Sequence, residues 1–404
     1  MENKIKMLVI PSDKYGCGKF RSVDPHVFLN EAYPDKFDVD IVYELPKEGL
    51  EEFLKQYQIV HIHKQLDKQG TLIKMMKFLG LKVIVDVDDN FFLGNDHPMA
   101  LSAKKEKWHE PIIEHLRQAD MVTTTTPIYA AELRKYNKNV KVFPNAINPA
   151  EKQFSEPKTP EIDRLRVGII CGSSHWKDIE LLGTLPKQVD TNKVQFVLCG
   201  FDTNGTRTIY YKDEDRVETR PITPQESVWY EYEKLITDNY RIVSDKHKEF
   251  LMQFFKDTDD PFTDEAYRRM WTRDITRYAT HYSNVDVLLA PLKENIFNLM
   301  KSQLKTIECA FTNTALIAQN YGAYTIDAKP MIGFGGKIDE NGNCLLVDSS
   351  KNHKQWGKYI NMLANDRDML HRLQKNLHDD IVPKYAIDVV CADRAKAYEE
   401  LVNS

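Results

Sequence analysis

The chain has 404 residues, a formal net charge of −5, 42% hydrophobic and 28% charged residues. That length calls for two domains of ordinary size, and the balance of apolar and charged residues excludes a disordered or fibrous chain. The net negative charge does not favour a nucleic-acid binder, and no apolar run approaches the ~20 residues needed to cross a bilayer. With no apolar leader core at the N-terminus, a cytoplasmic protein is expected. Cys17, Cys171, Cys199, Cys309, Cys344 and Cys391 are scattered without a C-x-x-C pair. Reduced and mostly buried thiols are expected, rather than a zinc ribbon or a disulfide framework.

From the N-terminus, short apolar runs at 5–10, 39–43, 59–62, 83–87 and 121–123 read as strands. They are nearly continuous in apolarity, interrupted by Asp40 and Asp86, which indicates strands covered on both faces. Helical patterns at 50–56, 72–79, 112–118 and 129–136 supply the crossovers of a doubly wound parallel sheet.

The segment after the first strand carries Gly16, Gly18, Lys19 and Arg21. It is expected to be a loop facing a ligand, with glycines allowing close backbone approach and cations able to meet phosphate or sugar hydroxyls. Without a third glycine it is a weak dinucleotide signal. His61 and His63 fall on one face of the third strand, and His63 is a candidate for the cleft, with a buried structural role equally open. Asp88 and Asp89 follow the fourth strand. They are candidates for a general base, an acceptor-hydroxyl anchor or a metal site, with loop capping as the plain alternative.

A polar stretch with Pro149, Pro157 and Pro160 marks a linker over 149–162, between a first domain of 1–148 and a second of 163–384. Strands resume at 167–170, 194–198, 285–289 and 316–318. Between 201 and 282 an insertion rich in aromatic and charged residues breaks this rhythm, with helices predicted over 246–256 and 264–280. Structural cover is the plain reading of it, and an acceptor or partner surface the alternative.

Two segments carry the chemistry of the second domain. In the first, a buried strand from Arg166 runs into Gly172, Ser173 and Ser174 and then a helix. Backbone N–H groups at a helix start suit a phosphate, and His175 and Lys177 can add donors. Ser174 as an N-cap alone is the plain alternative. In the second, Asn298, Lys301, Ser302, Lys305 and Glu308 precede a short apolar strand. Lys301, Lys305 and Glu308 are predicted to share one helical face, cations suiting a diphosphate and the carboxylate ribose hydroxyls. The alternative is an amphipathic helix with solvated lysines and Glu308 paired to one of them.

These two segments, in this order, resemble the donor-binding half of GT-B glycosyltransferases, particularly those related to glycosyltransferase family four. The stretch 119–127 with 142–148 resembles the closing strand–helix–strand unit of that family's first domain, and 341–348 with Trp356 its closing region. The resemblance implies two Rossmann-like domains facing across a cleft, with a last helix over 385–404 packing back on the first. It implies a hexosyl- or pentosyltransferase that moves a sugar from a nucleoside-diphosphate sugar, such as a UDP-sugar, to an acceptor hydroxyl. The acceptor would be a glycan or a lipid carrier, with modified DNA possible. No metal or other cofactor is required by this reading.

The family's retaining members carry two glutamates separated by seven residues. Glu308 matches the second, but the first falls at Met300, so Asn298, Lys301 and Ser302 would take over its contacts in an N-x-x-K-S pattern. Retention or inversion stays open. Three other readings are a phage-type transferase acting on DNA bases, a sugar-nucleotide epimerase or phosphorylase, and a non-catalytic scaffold of the same fold.

Overall fold

The computed structural model describes residues 4–64, 70–95, 97, 99–211, 213, 216–255, 258, 260–348 and 353–404. Strands β1 (Ile5–Ile10), β2 (Phe37–Ile41), β3 (Ile59–His63), β4 (Lys82–Asp86), β5 (Met121–Thr124) and β6 (Val140–Val142) form one sheet in the order β2-β1-β3-β4-β5-β6. Every pairing in it is parallel. The five predicted strands form with ends moved by a residue or two. Helices on both faces explain why the runs are continuously apolar, since neither face meets water.

The second sheet contains β7 (Leu165–Ile170) and β8 (Val194–Phe201). The chain then makes an antiparallel hairpin, β9 (Thr206–Tyr211) with β10 (Arg216–Pro221), before returning as β11 (Tyr267–Trp271), β12 (Val287–Ala290), β13 (Ala315–Gln319) and β14 (Leu345–Val347). The order is β11-β8-β7-β12-β13-β14. The insertion is thus not wholly helical, and the helix predicted over 264–280 does not form. In its place β11 pairs in parallel with β8, and a 3-10 turn spans Tyr278–Asn284. The cause is tertiary: Arg269 is buried on β11, donates to Glu233 of the helix Val228–Ile236 at 2.5 and 2.8 Å, and lies 4.1 Å over the Phe201 ring. The helix predicted over 246–256 spans Asp245–Leu251, and residue 256 lies outside the described residues.

Helices His353–Asn365, Arg367–Tyr385 and Ile387–Val402 close the chain. The last buries Ile387, Val390, Cys391 and Tyr398 in one apolar cluster with Met7, Leu29, Ile59 and Ile84 of the first sheet and its helix. No described helix is long and apolar enough to cross a membrane. All six cysteines are free, four of them buried.

The segment expected to be a ligand-facing loop is helical instead. A turn at Gly16–Gly18 continues as a π-helical turn, Lys19–Val23, into the helix Asp24–Ala32. Gly18 is required by its own chain, because a Cβ there would sit 1.9 Å from the Asp13 carbonyl oxygen. The π turn sends Arg21 inward, where it is 1% exposed. Its guanidinium donates to both Asp86 oxygens at 3.0 and 2.7 Å, to the Phe143 carbonyl at 2.6 Å and to Asn145 Oδ1 at 3.1 Å. Burial alone would raise the Asp86 pKa, but the charge and hydrogen bonds of Arg21, together with His63 and the Thr123 hydroxyl, hold the carboxyl below its ordinary value.

Removing one member of such a pair leaves a buried charge uncompensated. Arg21→Met is therefore expected to cost about 3–5 kcal/mol in urea unfolding, and the double variant Arg21→Met/Asp86→Leu to recover part of that loss.

Candidate functional site

The two sheets point the C-terminal ends of their strands at a common cleft. One cavity there, of about 300 Å³, is lined by Gly16, Cys17, Arg21, Asp88 and Asp89 from one side and by Ser174, His175, Lys301, Ser302 and Lys305 from the other. A second cavity of similar volume shares Ser174, His175 and Lys301 and adds Lys177, Asp178, Asn298 and His97. Residues far apart in the chain therefore meet at the cleft.

On the second domain, β7 leads into a 3-10 turn, Ser173–His175, and a short helix, Trp176–Ile179. The Gly172 and Ser173 carbonyls accept from the Tyr232 hydroxyl at 3.2 and 3.1 Å, which ties this turn to the insertion. Ser174 and His175 are the residues of the turn that reach the cavities. The His175 Nδ1 lies 2.7 Å from Asp178 Oδ2. Asp178 Oδ1 in turn accepts from the Lys293 amide at 2.8 Å and from Asn298 Nδ2 at 2.9 Å. A carboxylate only accepts, so the ring hydrogen is on Nδ1 and Nε2 keeps a lone pair. Burial and the neighbouring Lys301 cation lower the His175 pKa below its ordinary value, which leaves the ring neutral at pH 7. Lys177 is half-exposed and pairs with Glu180 at 2.9 Å.

The single helical face predicted for Lys301, Lys305 and Glu308 is broken. One helix spans Ile296–Leu299, the next Leu304–Phe311, and residues 301–303 lie between them. The break coincides with anchors that periodicity does not contain: Asn298 is held by Asp178 and the Lys293 carbonyl, and Gly322 backs closely onto the Asn298 carbonyl. Met300 packs into the first domain's apolar cluster.

The two lysines consequently differ. Lys305 donates to Glu308 at 2.9 Å, while Glu308, 1% exposed, also accepts from Tyr278 at 2.5 Å and Tyr282 at 2.6 Å. The pairing alternative for Glu308 is the one that forms, and its carboxylate lines neither cavity. Lys301 lies 5.1 Å from the Phe297 ring centroid and pairs with no carboxylate among the described residues. Ser302 Oγ accepts from Asn145 Nδ2 at 3.2 Å, a hydrogen bond between the two domains.

Across the cleft, Asp88 is 8% exposed and accepts from Lys64 Nζ at 3.0 Å, with His63 Nε2 at 3.3 Å. Burial acts to raise its pKa, but Lys64 and His63 hold it well below the usual carboxylate range. His63 is fully buried behind Asp88, with Nδ1 2.9 Å from Ser12 Oγ, so it positions Asp88 rather than facing the cleft. His61, on the same strand face, meets His26 at a ring separation of 4.5 Å. Asp89 retains 30% side-chain exposure, and Lys64 Nζ is 3.9 Å from its carboxylate. Cys17, Asp88 and Asp89 bring one ligand atom each within 4.8 Å of one another, but a cation there would have to displace the Lys64 ammonium.

Two expected cleft cations are engaged elsewhere. Lys19 pairs with Asp24 at 2.7 Å and Glu151 at 2.9 Å, and the Arg21 guanidinium is consumed by Asp86 and its neighbours. Their charges are neutralised at close range and cannot serve a ligand without breaking those pairs. Asp178, Asn145, His97 and Tyr324 belong to the site without having been read from the sequence. Of these only Asp178 left a local signal, its i,i+3 spacing from His175.

What the arrangement offers is an anion site at Ser174, His175, Lys301 and Ser302, with Asp89 opposite. A bound anion raises the His175 pKa above its lowered free value, so binding takes up a proton and strengthens as pH falls through the pKa of the complex. Calorimetric titration with inorganic pyrophosphate is expected to show tighter binding at pH 6 than at pH 8. That difference is expected to shrink or reverse in His175→Gln, because the ligand's own protonation removes negative charge as pH falls and works against it.

No protein-family model and no curated protein sequence matches the chain. Solved structures do resemble it. HepE from Anabaena, solved in complex with UDP, aligns with a TM-score of 0.65 at 10% identity, covering 98% of this chain and 100% of that one. Sucrose-phosphate synthase from Thermosynechococcus elongatus aligns with a TM-score of 0.61 at 14% identity over 99% of both chains. A glycosyltransferase from Rickettsia africae gives a TM-score of 0.62 at 12% identity, again over 99% of both. Likeness at such identities is one of fold, and two six-stranded parallel sheets facing one cleft agree with it: this chain has the GT-B fold.

Proposed function

We propose that the protein is a glycosyltransferase related to family four, transferring a hexosyl or pentosyl group from a nucleoside-diphosphate sugar to an acceptor hydroxyl. The observation that carries this reading is Lys301, a cation without a carboxylate partner among the described residues that lines both cavities beside Ser174 and His175, with Ser302 next to it in the inner one. Such a group suits a diphosphate, whose charge grows as the sugar leaves, and a preorganised cation there stabilises the transition state more than the ground state. Support also comes from HepE, which has been solved with UDP, with UDP and glucose, and with UDP-glucose.

In this reading the donor lies on the domain of 163–384 and the acceptor on that of 1–148, joined by the linker 149–162. Lys301, Ser302, Ser174 and His175 hold the diphosphate, with Lys305 behind them and Glu308 setting the position of Lys305. Asn298 acts through Asp178 by fixing the His175 ring, and Lys177 edges the outer cavity. Gly172 and Ser173 shape the turn. Asp89 receives the acceptor's proton, while Asp88 and His63 set the electrostatics beside it. Closure of the cleft keeps water from the activated sugar. The reaction takes place in the cytoplasm.

A thermal-shift screen of the purified protein against UDP-, GDP-, dTDP- and CMP-sugars tests the donor site. At about 100 times its dissociation constant the cognate donor is expected to stabilise the fold by ~2.7 kcal/mol. UDP-glucose is the first candidate, and the shift is expected to shrink in Lys301→Ala and in Lys305→Ala. No shift with any nucleotide sugar would sink the reading and leave a non-catalytic scaffold as the better account.

A further inference from the structure

A third cavity, of about 320 Å³, adjoins the cleft on the first-domain side. It shares Asp89 with the cavity that Lys305 lines, and His97 and Phe297 with the outer one. Its walls are Phe91, Leu93, Met99, Trp108, Ile112 and Phe297, three of them aromatic. The aromatic surface continues outward, since Phe91 meets Phe92 at a ring separation of 4.9 Å and Phe92 meets His109 at 5.2 Å.

The polar groups at this cavity are largely consumed by the protein itself. Ser12 Oγ donates to Asp13 at 2.8 Å and lies 2.9 Å from His63 Nδ1. Asp13 Oδ1 accepts from the amides of Tyr15 and Gly18, and Asn90 Oδ1 from that of Phe92. Lys64 is held by Asp88, and His97 Nδ1 accepts from the Met99 amide. The Asp89 carboxylate accepts no hydrogen bond from a described residue: its ion-pair partner Lys64 is 3.9 Å away, and the Cys17 thiol and Asp88 carboxylate within 4.8 Å leave it free to accept. The cavity thus presents one available carboxylate and apolar walls.

From this we infer that the cavity takes an acceptor whose hydroxyl is carried on an aromatic or other apolar body, not a bare oligosaccharide. The inference rests on the glycosyltransferase reading and names its acceptor class. A sugar chain brings many hydroxyls, and each one buried without a partner is penalised. A planar ring buries its faces on Phe91, Trp108 and Phe297 and needs one acceptor for one hydroxyl. In the transfer, the acceptor oxygen bonds to the anomeric carbon, the bond from that carbon to the β-phosphate oxygen breaks with its electron pair on the nucleoside diphosphate, and the hydroxyl proton passes to Asp89.

The probes are 4-methylumbelliferone, a phenol, and maltotriose, both titrated calorimetrically into the full chain without a nucleotide sugar. The phenol is expected to bind saturably and maltotriose not to bind. Met99→Asp, a change at a position 45% exposed, is expected to weaken phenol binding at least tenfold while keeping the native melting temperature. Trp108→Ala is the second variant, with the same loss expected. Binding of maltotriose in place of the phenol, or phenol binding untouched by both variants, overturns the inference. Because neither titration contains a donor, the UDP-glucose thermal shift is read separately, and its absence would count against the donor site and not against the cavity.

Discussion

The buried Arg21–Asp86 pair is the contact on which the geometry of the cleft depends. It joins the turn after the first strand to the end of the fourth, and through Phe143 and Asn145 to the end of the first domain. Asn145 then donates to Ser302 across the cleft. A cation expected to meet a ligand instead fixes the distance between the two halves of the site. A bidentate guanidinium suits that task, because its planar fork defines orientation as well as separation, which a lysine ammonium would not. The turn carrying Gly16 and the segment carrying Asp88 and Asp89 adjoin this joint, and Arg21 itself lines the cavity between them and Lys301 and Ser302.

The electrostatics of the cleft divide into charges neutralised by the protein and charges left for a ligand. Lys19, Arg21, Lys64, Lys177 and Lys305 each have a carboxylate partner within hydrogen-bond distance, and each is thereby fixed in place. Lys301 has none among the described residues, and His175 is kept neutral by burial and by that same cation. An uncompensated positive charge in a partly buried cleft destabilises the free protein slightly and is relieved when an anion arrives. That is the usual physical mark of a binding group, as opposed to a structural one.

Glu308 stands at the place of the second glutamate in the resembled pattern, and in the free protein its carboxylate is fully engaged. Tyr278, Tyr282 and Lys305 all donate to its carboxylate, so it holds Lys305 in place from behind the cavity wall. Met300, at the place of the first glutamate in the resembled pattern, faces the first domain's core cluster and helps hold the domains together. The break between the helices at 301–303 is what turns Lys301 toward the cleft while Lys305 turns back toward Glu308.

The sequence by itself determined the two parallel sheets and nine of their twelve strands, β6, β11 and β14 being the exceptions, because continuous apolar runs between helical patterns have few other ways to bury their surface. It also located the segments around Ser174 and Lys301 that meet at the cleft. It did not determine β11, whose charged Arg269 reads as helical until Glu233 and Phe201 are placed around it. Nor did it show which cations stay unpaired, that Asp178 orients His175, or that Phe91, Trp108 and Phe297 share one cavity. Periodicity reports which face of an element is buried, whereas the cavity walls and pairs such as Arg21–Asp86 and Arg269–Glu233 join residues tens of positions or more apart, and only the tertiary structure brings those together.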